Sequence, residues 1–199
     1  MADLEDGRGK NGPAGVNSHQ QLDVFGVTML EEFFANHFGD AYNINTEIIG
    51  LTDDDETPLL YAKNRETEDL VLSALAFHAD TATGGSGAGY LRIYDGPTGG
   101  TIISDASPAP VKANRRFGDS GELDKVDAYL GSSARTFIGG TKAFLFGHGT
   151  GRMFAAINIV LPRGASALVT WEPPTGTTAQ NVYAALIPYL REEGALPSK

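Results

Sequence analysis

From about residue 44 onward, apolar side chains fall at alternate positions in short runs, and Gly, Pro or Asp ends nearly every run. A helix places its apolar side chains every third or fourth residue, so this spacing calls for strands that each bury one face. The clearest run is Gly89–Asp95, in which Leu91 and Ile93 share one face while Tyr90, Arg92 and Tyr94 share the other. Further runs cover residues 44–51, 58–64, 69–79, 101–104, 123–130, 152–161, 165–172 and 180–190. Met153, Ala155, Ile157 and Ile159 line one face of the run from 152; Val182, Ala184, Leu186 and Leu190 do so in the last. A helix is disfavoured there because Pro188 would remove a backbone hydrogen bond and clash with the preceding turn, at about 3 kcal/mol. The same proline places that strand near a sheet edge. Roughly eight or nine strands with no repeat and no heptad seam predict an all-β, antiparallel β-sandwich, jelly-roll-like in architecture.

The 199 residues suffice for one domain with a two-layer core, and 25 Gly with 10 Pro fit many turns between short elements. Residues 1–25 stand apart. Gly7, Gly9, Gly12, Pro13 and Gly15 are scattered among charges, with few apolar side chains to anchor the segment on its own core. An extended N-terminal arm over 1–25 is expected, ordered by contact with a partner, before a sandwich domain over 26–199. Leu4, Val16, Leu22, Val24 and Phe25 are its candidate interface contacts. Thr28 to Glu31 has capping-box spacing, and Leu30, Phe34 and Phe38 follow in steps of four. One short helix over about 29–38 is one reading; an irregular strand over 22–34 is the other.

The formal charge of −10 sets a field that repels phosphate backbones and anionic lipid, so neither nucleic acid nor membrane is an expected partner. The chain has no cysteine for disulfides or thiolate metal sites. No basic start with an apolar core marks a secretory signal, and no run approaches the ~20 apolar residues of a membrane span, so synthesis as a soluble cytoplasmic protein is expected.

No catalytic constellation emerges. His19, His37, His78 and His148 are far apart, with no spacing that would hold a metal, so neither metal nor cofactor is expected. The acidic run Asp53, Asp54, Asp55, Glu56 lacks the glycine-centred loop of a calcium site and reads as a solvated turn. Residues 84–89 contain four glycines but lead into a strand rather than a helix, which predicts a flexible hairpin loop instead of a phosphate cradle. The Gly-rich stretch 147–152 holds His148 without a nucleophile elbow. Residues 97–100 and 161–164 read as tight turns between strands. The expectation is a protein that is not an enzyme.

Several stretches carry a likeness: Leu59-Leu60-Tyr61-Ala62-Lys63-Asn64, Ile93-Tyr94-Asp95-Gly96-Pro97 running on to Ile103, Ala113-Asn114-Arg115-Arg116-Phe117-Gly118, Ile159-Val160-Leu161-Pro162-Arg163-Gly164, and Trp171-Glu172-Pro173-Pro174. In order and spacing this set resembles a recurrent pattern in small virion structural proteins of tailed bacteriophages. The resemblance implies a β-sandwich subunit on the phage head surface, a decoration or cement protein that bridges subunits of the major capsid protein. It further implies a homotrimer without an active site. Adjacent Arg115 and Arg116 in so acidic a chain are candidate contacts to a carboxylate-rich neighbour. Two alternatives remain open. One is a carbohydrate-binding sandwich for host attachment, with Tyr90, Tyr94 or Trp171 stacking on sugars; the other is a tail or baseplate component.

Overall fold

The structure is a computed structural model, described here for residues 35–36, 40–105, 109–116 and 126–191. The expected arm over 1–25, with Leu4, Val16, Leu22, Val24 and Phe25, lies outside the described residues. So does most of 29–38, of which Ala35 and Asn36 are described and helical.

Alternation along the chain does produce strands, eleven of them among the described residues, in two antiparallel sheets packed face to face. They are β1 (Tyr42–Asn45), β2 (Ile49–Leu51), β3 (Thr57–Asn64), β4 (Asp69–Ala79), β5 (Gly89–Asp95) and β6 (Val111–Asn114). β7 (Val126–Leu130), β8 (Thr141–His148), β9 (Gly151–Leu161), β10 (Ser166–Glu172) and β11 (Gln180–Arg191) follow. The first sheet runs β6-β1-β11-β4-β9, with β2 also beside β11; the second runs β7-β3-β10-β5-β8.

The pairing is nested: β1 with β11, β3 with β10, β4 with β9 and β5 with β8. Each pair joins an early strand to a late one, as in a long hairpin rolled into two layers, which is jelly-roll order. The segment 96–140 interrupts the roll between β5 and β8 and supplies the two remaining edge strands, β6 beside β1 and β7 beside β3.

Core side chains come from the faces that alternation marks. Leu91 and Ile93 of β5 meet Trp171 and Val169 of β10 in register, and all four are buried. Across the layer, Leu72, Leu75, Phe77, Leu186 and Val182 complete the same cluster. The Phe77 ring lies 4.8 Å from that of Trp171, whose Nε1–H donates to Gln180 Oε1 at 2.9 Å, so its one polar atom is satisfied in the core. Burial of each such side chain contributes roughly 1.5–3 kcal/mol.

Several expectations change. Residues 101–104 form a helical turn, not a strand. Two adjacent isoleucines carry no period of their own. Gly100, at φ 101°, turns the chain so that Ile102 seals against Tyr61 and Leu168 on the outer face of the second sheet. The run 44–51 is split into β1 and β2, while β6 and β8 were not anticipated. Residues 84–89 do not close a hairpin, because β4 and β5 belong to different sheets, and bridges Thr83–Ala179 and Ser86–Thr175 hold the loop.

Pro188 lies inside the first sheet, not at its edge. β11 sits between β1 and β4, and the missing N–H falls at a bulge where Ser73 of β4 is the extra residue. The Ser73 hydroxyl donates to the Ile187 carbonyl at 2.8 Å, and the Leu190 N–H reaches Asp40 O at 2.9 Å on the other side. The same bulge shifts the inward phase of β4 from Leu70 and Leu72 to Leu75, Phe77 and Ala79.

Candidate functional site

β8 ends the second sheet and β9 ends the first, and the turn at Gly149 and Thr150 joins them. No strand among the described residues pairs with their outer edges. Phe144 and Phe146 stand opposite Ile93 and Leu91, and Met153 and Ile159 opposite Phe77 and Leu72, so all four belong to the inward face. They are nevertheless only half-buried. The two phenylalanine rings are stacked with centroids 6.1 Å apart. Beside them a cleft of about 330 Å³ opens between the sheets, lined by Ile93, Phe144, Ile159, Leu161 and Ala165, with Asp95 at its border.

Side chains on the opposite faces of these strands are more exposed still. Phe154 is 69% exposed, Leu145 54% and Val160 42%. Leu145 lies on the outer face of the second sheet, and Phe154 and Val160 on that of the first; exposed apolar side chains of this size are a feature of interaction surfaces. Long free edges also invite uncontrolled strand addition, and bulges interrupt both. Ala143 is the extra residue on β8, while on β9 Ile157 and Asn158 together face Ser73, with Asn158 at φ 47°.

Charge is segregated here as well. Residues 128–171 contain none of the chain's 25 Asp and Glu residues. Lys142, Arg152 and Arg163 are exposed and make no ion pair with described residues, whereas Arg65, Arg92, Arg135 and Arg191 each do. Both uncovered edge strands thus carry a cation and no carboxylate on an acidic protein. Sequence reasoning missed it, although the carboxylate-free stretch was a signal open to inspection.

A second polar group occupies the outer face of the second sheet. Arg92 on β5 lies between Glu56 and Glu172, with Nη1 3.2 Å from Glu56 Oε2 and Nη2 bonded to Glu172. Thr170 donates to Glu56 Oε1 at 2.5 Å, and the Tyr94 hydroxyl to Oε2 at 3.4 Å. Burial opposes the Arg92 charge, but the Glu172 hydrogen bond and the Glu56 carboxylate outweigh it and raise its pKa. Burial, then the Glu56 charge, push the Tyr94 phenol up to about 12. Glu56 is therefore tethered rather than part of a solvated turn. The two carboxylates neutralise one guanidinium, which makes this a clamp across β5, β10 and the start of β3.

The sequence candidates fall elsewhere. Arg115 and Arg116 follow β6, at the opposite edge of the first sheet from β9, with Arg116 exposed and Arg115 half-buried. Their backbone N–H groups are held by Ala41 O and Asn114 Oδ1, both at 2.8 Å. Of the aromatics considered for sugar stacking, Trp171 is fully buried and Tyr94 packs against Phe137 at 5.2 Å. Tyr90 is exposed, with the Arg92 guanidinium 5.5 Å from its ring centre. Among the described residues, no group of three or more His, Asp or Glu is placed to hold a metal ion, and no helix is long and apolar enough to cross a membrane.

No protein-family model matches the chain, and no curated protein matches it in sequence.

Proposed function

We propose that this chain is a non-enzymatic structural subunit of a tailed-bacteriophage particle, a head decoration or cement protein that bridges subunits of the major capsid protein. The observation that carries the structural half of this reading is the pair of uncovered edge strands β8 and β9, whose inward Phe144 and Phe146 are only half-buried and whose outward faces expose Leu145 on one sheet and Phe154 and Val160 on the other. Such a surface gains free energy by association, through burial at roughly 25 cal/mol per Å² of apolar area. The phage half rests on the sequence resemblance. A clamp spanning subunit junctions stabilises a shell because separating the subunits would also expose the clamp's interface.

Of the three aromatics of the carbohydrate-binding alternative, Trp171 lies in the core and Tyr94 is packed under Phe137, which leaves it Tyr90 alone in the open. Incubation of the purified chain with empty phage heads tests the proposal. Saturable occupancy is expected, together with a higher temperature of shell disruption. Shells that stay bare across a concentration series would refute it.

A further inference from the structure

On the outer face of the first sheet, Val111, Asn45, Ala185, Ala76 and Phe154 stand in register across β6, β1, β11, β4 and β9. Their chain neighbours Ile44, Leu186 and Phe77 belong to the core, so alternation turns this row outward. The next outward row continues with Ile187, Ala74 and Ala156, and neither row holds a charged residue. A solvated face of an antiparallel sheet is ordinarily polar. The outer face of the second sheet is covered by its own chain, where Ile102 and Phe137 pack on Tyr61, Leu168 and Tyr94. On the first sheet, Ala35 and Ala41 pack with Val71 and Tyr189 at one end, while Phe154 and Val111 are exposed.

Part of this face is concave. A cleft of about 300 Å³ is floored by Ala76 of β4 and lined by Phe154 and Arg152 of β9 and by Tyr183 of β11. Tyr183 and Arg152 flank His78 in register, and the Tyr183 ring stacks on that of His78 with centroids 5.2 Å apart, which steadies one wall. His78 Nε2 holds Asp80 Oδ1 at 2.9 Å, whereas Arg152 is exposed and makes no ion pair with described residues. A guest in the cleft would therefore bring its own carboxylate to Arg152, whose fork binds one in bidentate fashion. Aromatic walls beside an arginine are the composition of anchor pockets at protein interfaces, and the neutral rows beyond the cleft offer the flat apolar surround such anchors have.

We propose that the cleft between Phe154 and Tyr183 takes an apolar side chain with a carboxylate next to it, presented by a subunit of the shell. This inference rests on the reading of the chain as a capsid-bound subunit and names the face and the chemistry of that contact. The guest side chain lies over Ala76, where a larger floor residue would leave no room, and its carboxylate meets Arg152. The alanines of the neutral rows let the partner's backbone approach the sheet closely.

Amide chemical shifts of the isotope-labelled full chain, titrated with acetyl-phenylalanyl-glutamate amide or acetyl-phenylalanyl-lysine amide, test this. The glutamate probe should shift Ala76, Phe154 and Tyr183 and bind roughly two- to fivefold more tightly than the lysine probe. Arg152→Gln should erase that preference. Phe154→Ala, which removes a wall, and Ala76→Phe, which fills the floor, should each abolish the shifts, and if one variant misfolds the other decides. No shifts at the cleft, equal affinity for both probes, or shifts that survive both variants would overturn the inference. Shell occupancy is scored beside this, with Leu145→Asp on the other sheet as the control. It should fall in Phe154→Ala and Arg152→Gln and hold in Leu145→Asp. Occupancy indifferent to all three, or a dimer that Phe154→Ala dissolves, would overturn the shell as the source of the guest. Bare shells with a cleft that binds the glutamate probe sink the proposed function and leave the cleft standing.

Discussion

The two sides of the sandwich end differently, though a jelly roll creates a pair of sheet edges at each. On one side the inserted segment 96–140 lays β6 along β1 and β7 along β3, and the Lys112 ammonium reaches the Val126 carbonyl at 3.5 Å between the added strands. On the other side β8 and β9 stand uncovered by any described strand, and their inward aromatics are only half-buried. Edges left open are usually blunted by charge and bulges. This side has both, yet it also carries Phe154 and Leu145 in full view. The contrast teaches that this chain can lay its own residues along a sheet edge, and that where no described strand does so its inward aromatics stay half-buried.

The sharpest break in the comparison is between two phenylalanines on neighbouring strands. Phe77 is 1% exposed and Phe154 69%. Phe77→Ala should lower the unfolding free energy by about 3–5 kcal/mol, read from urea denaturation, since it leaves a cavity against Trp171. On the covered side, Gly131 follows β7 where any Cβ would overlap the Pro58 carbonyl. Gly131→Ala should destabilise by about 2–3 kcal/mol in the same assay, because backbone cannot yield as a side chain can.

On the open side, Asn158→Ala should lower stability by about 1 kcal/mol while Asn158→Gly changes it little, as expected for a left-handed bulge position. The cover over the second sheet has a signature in alkali. Tyr94, under Phe137, has its folded pKa raised to about 12 from an ordinary 10.0, so its contribution is intact below pH 10 and lost as pH rises toward 12. Urea midpoints should fall over that window in wild type and fall less in Tyr94→Phe. The smallest effect closes the series: Phe154→Ala should shift the stability of the isolated monomer by no more than about 0.5 kcal/mol. A loss as large as that of Phe77→Ala would mean that Phe154 is covered within its own chain and would erase the distinction between the two sides.

Much of the architecture was legible because a strand with one buried face repeats every two residues. Leu91 and Ile93, Val182, Ala184 and Leu186, and Met153 through Ile159 all fall on the faces that parity assigns. β8 escaped notice because an edge strand is under weak demand to alternate: Phe144, Leu145 and Phe146 run consecutively, and the bulge at Ala143 breaks the phase. The helical turn at 101–104 escaped because two isoleucines fit either period. Arg115 and Arg116 drew attention as a charged pair, whereas Lys142, Arg152 and Arg163, exposed and without an ion pair to described residues, are too far apart in sequence to draw it.

By itself the sequence determined that this chain makes strands, which face is buried in the runs whose alternation is unbroken, and that two apolar layers must meet, because side-chain period and hydrophobicity act residue by residue. Which strand lies beside which was decided only in the tertiary structure. A backbone hydrogen bond is chemically the same whatever strand supplies it, so the nested pairing of early strands with late ones leaves no local mark. Edge or centre follows from that pairing, and with it the places of Pro188 inside a sheet and Phe154 in the open.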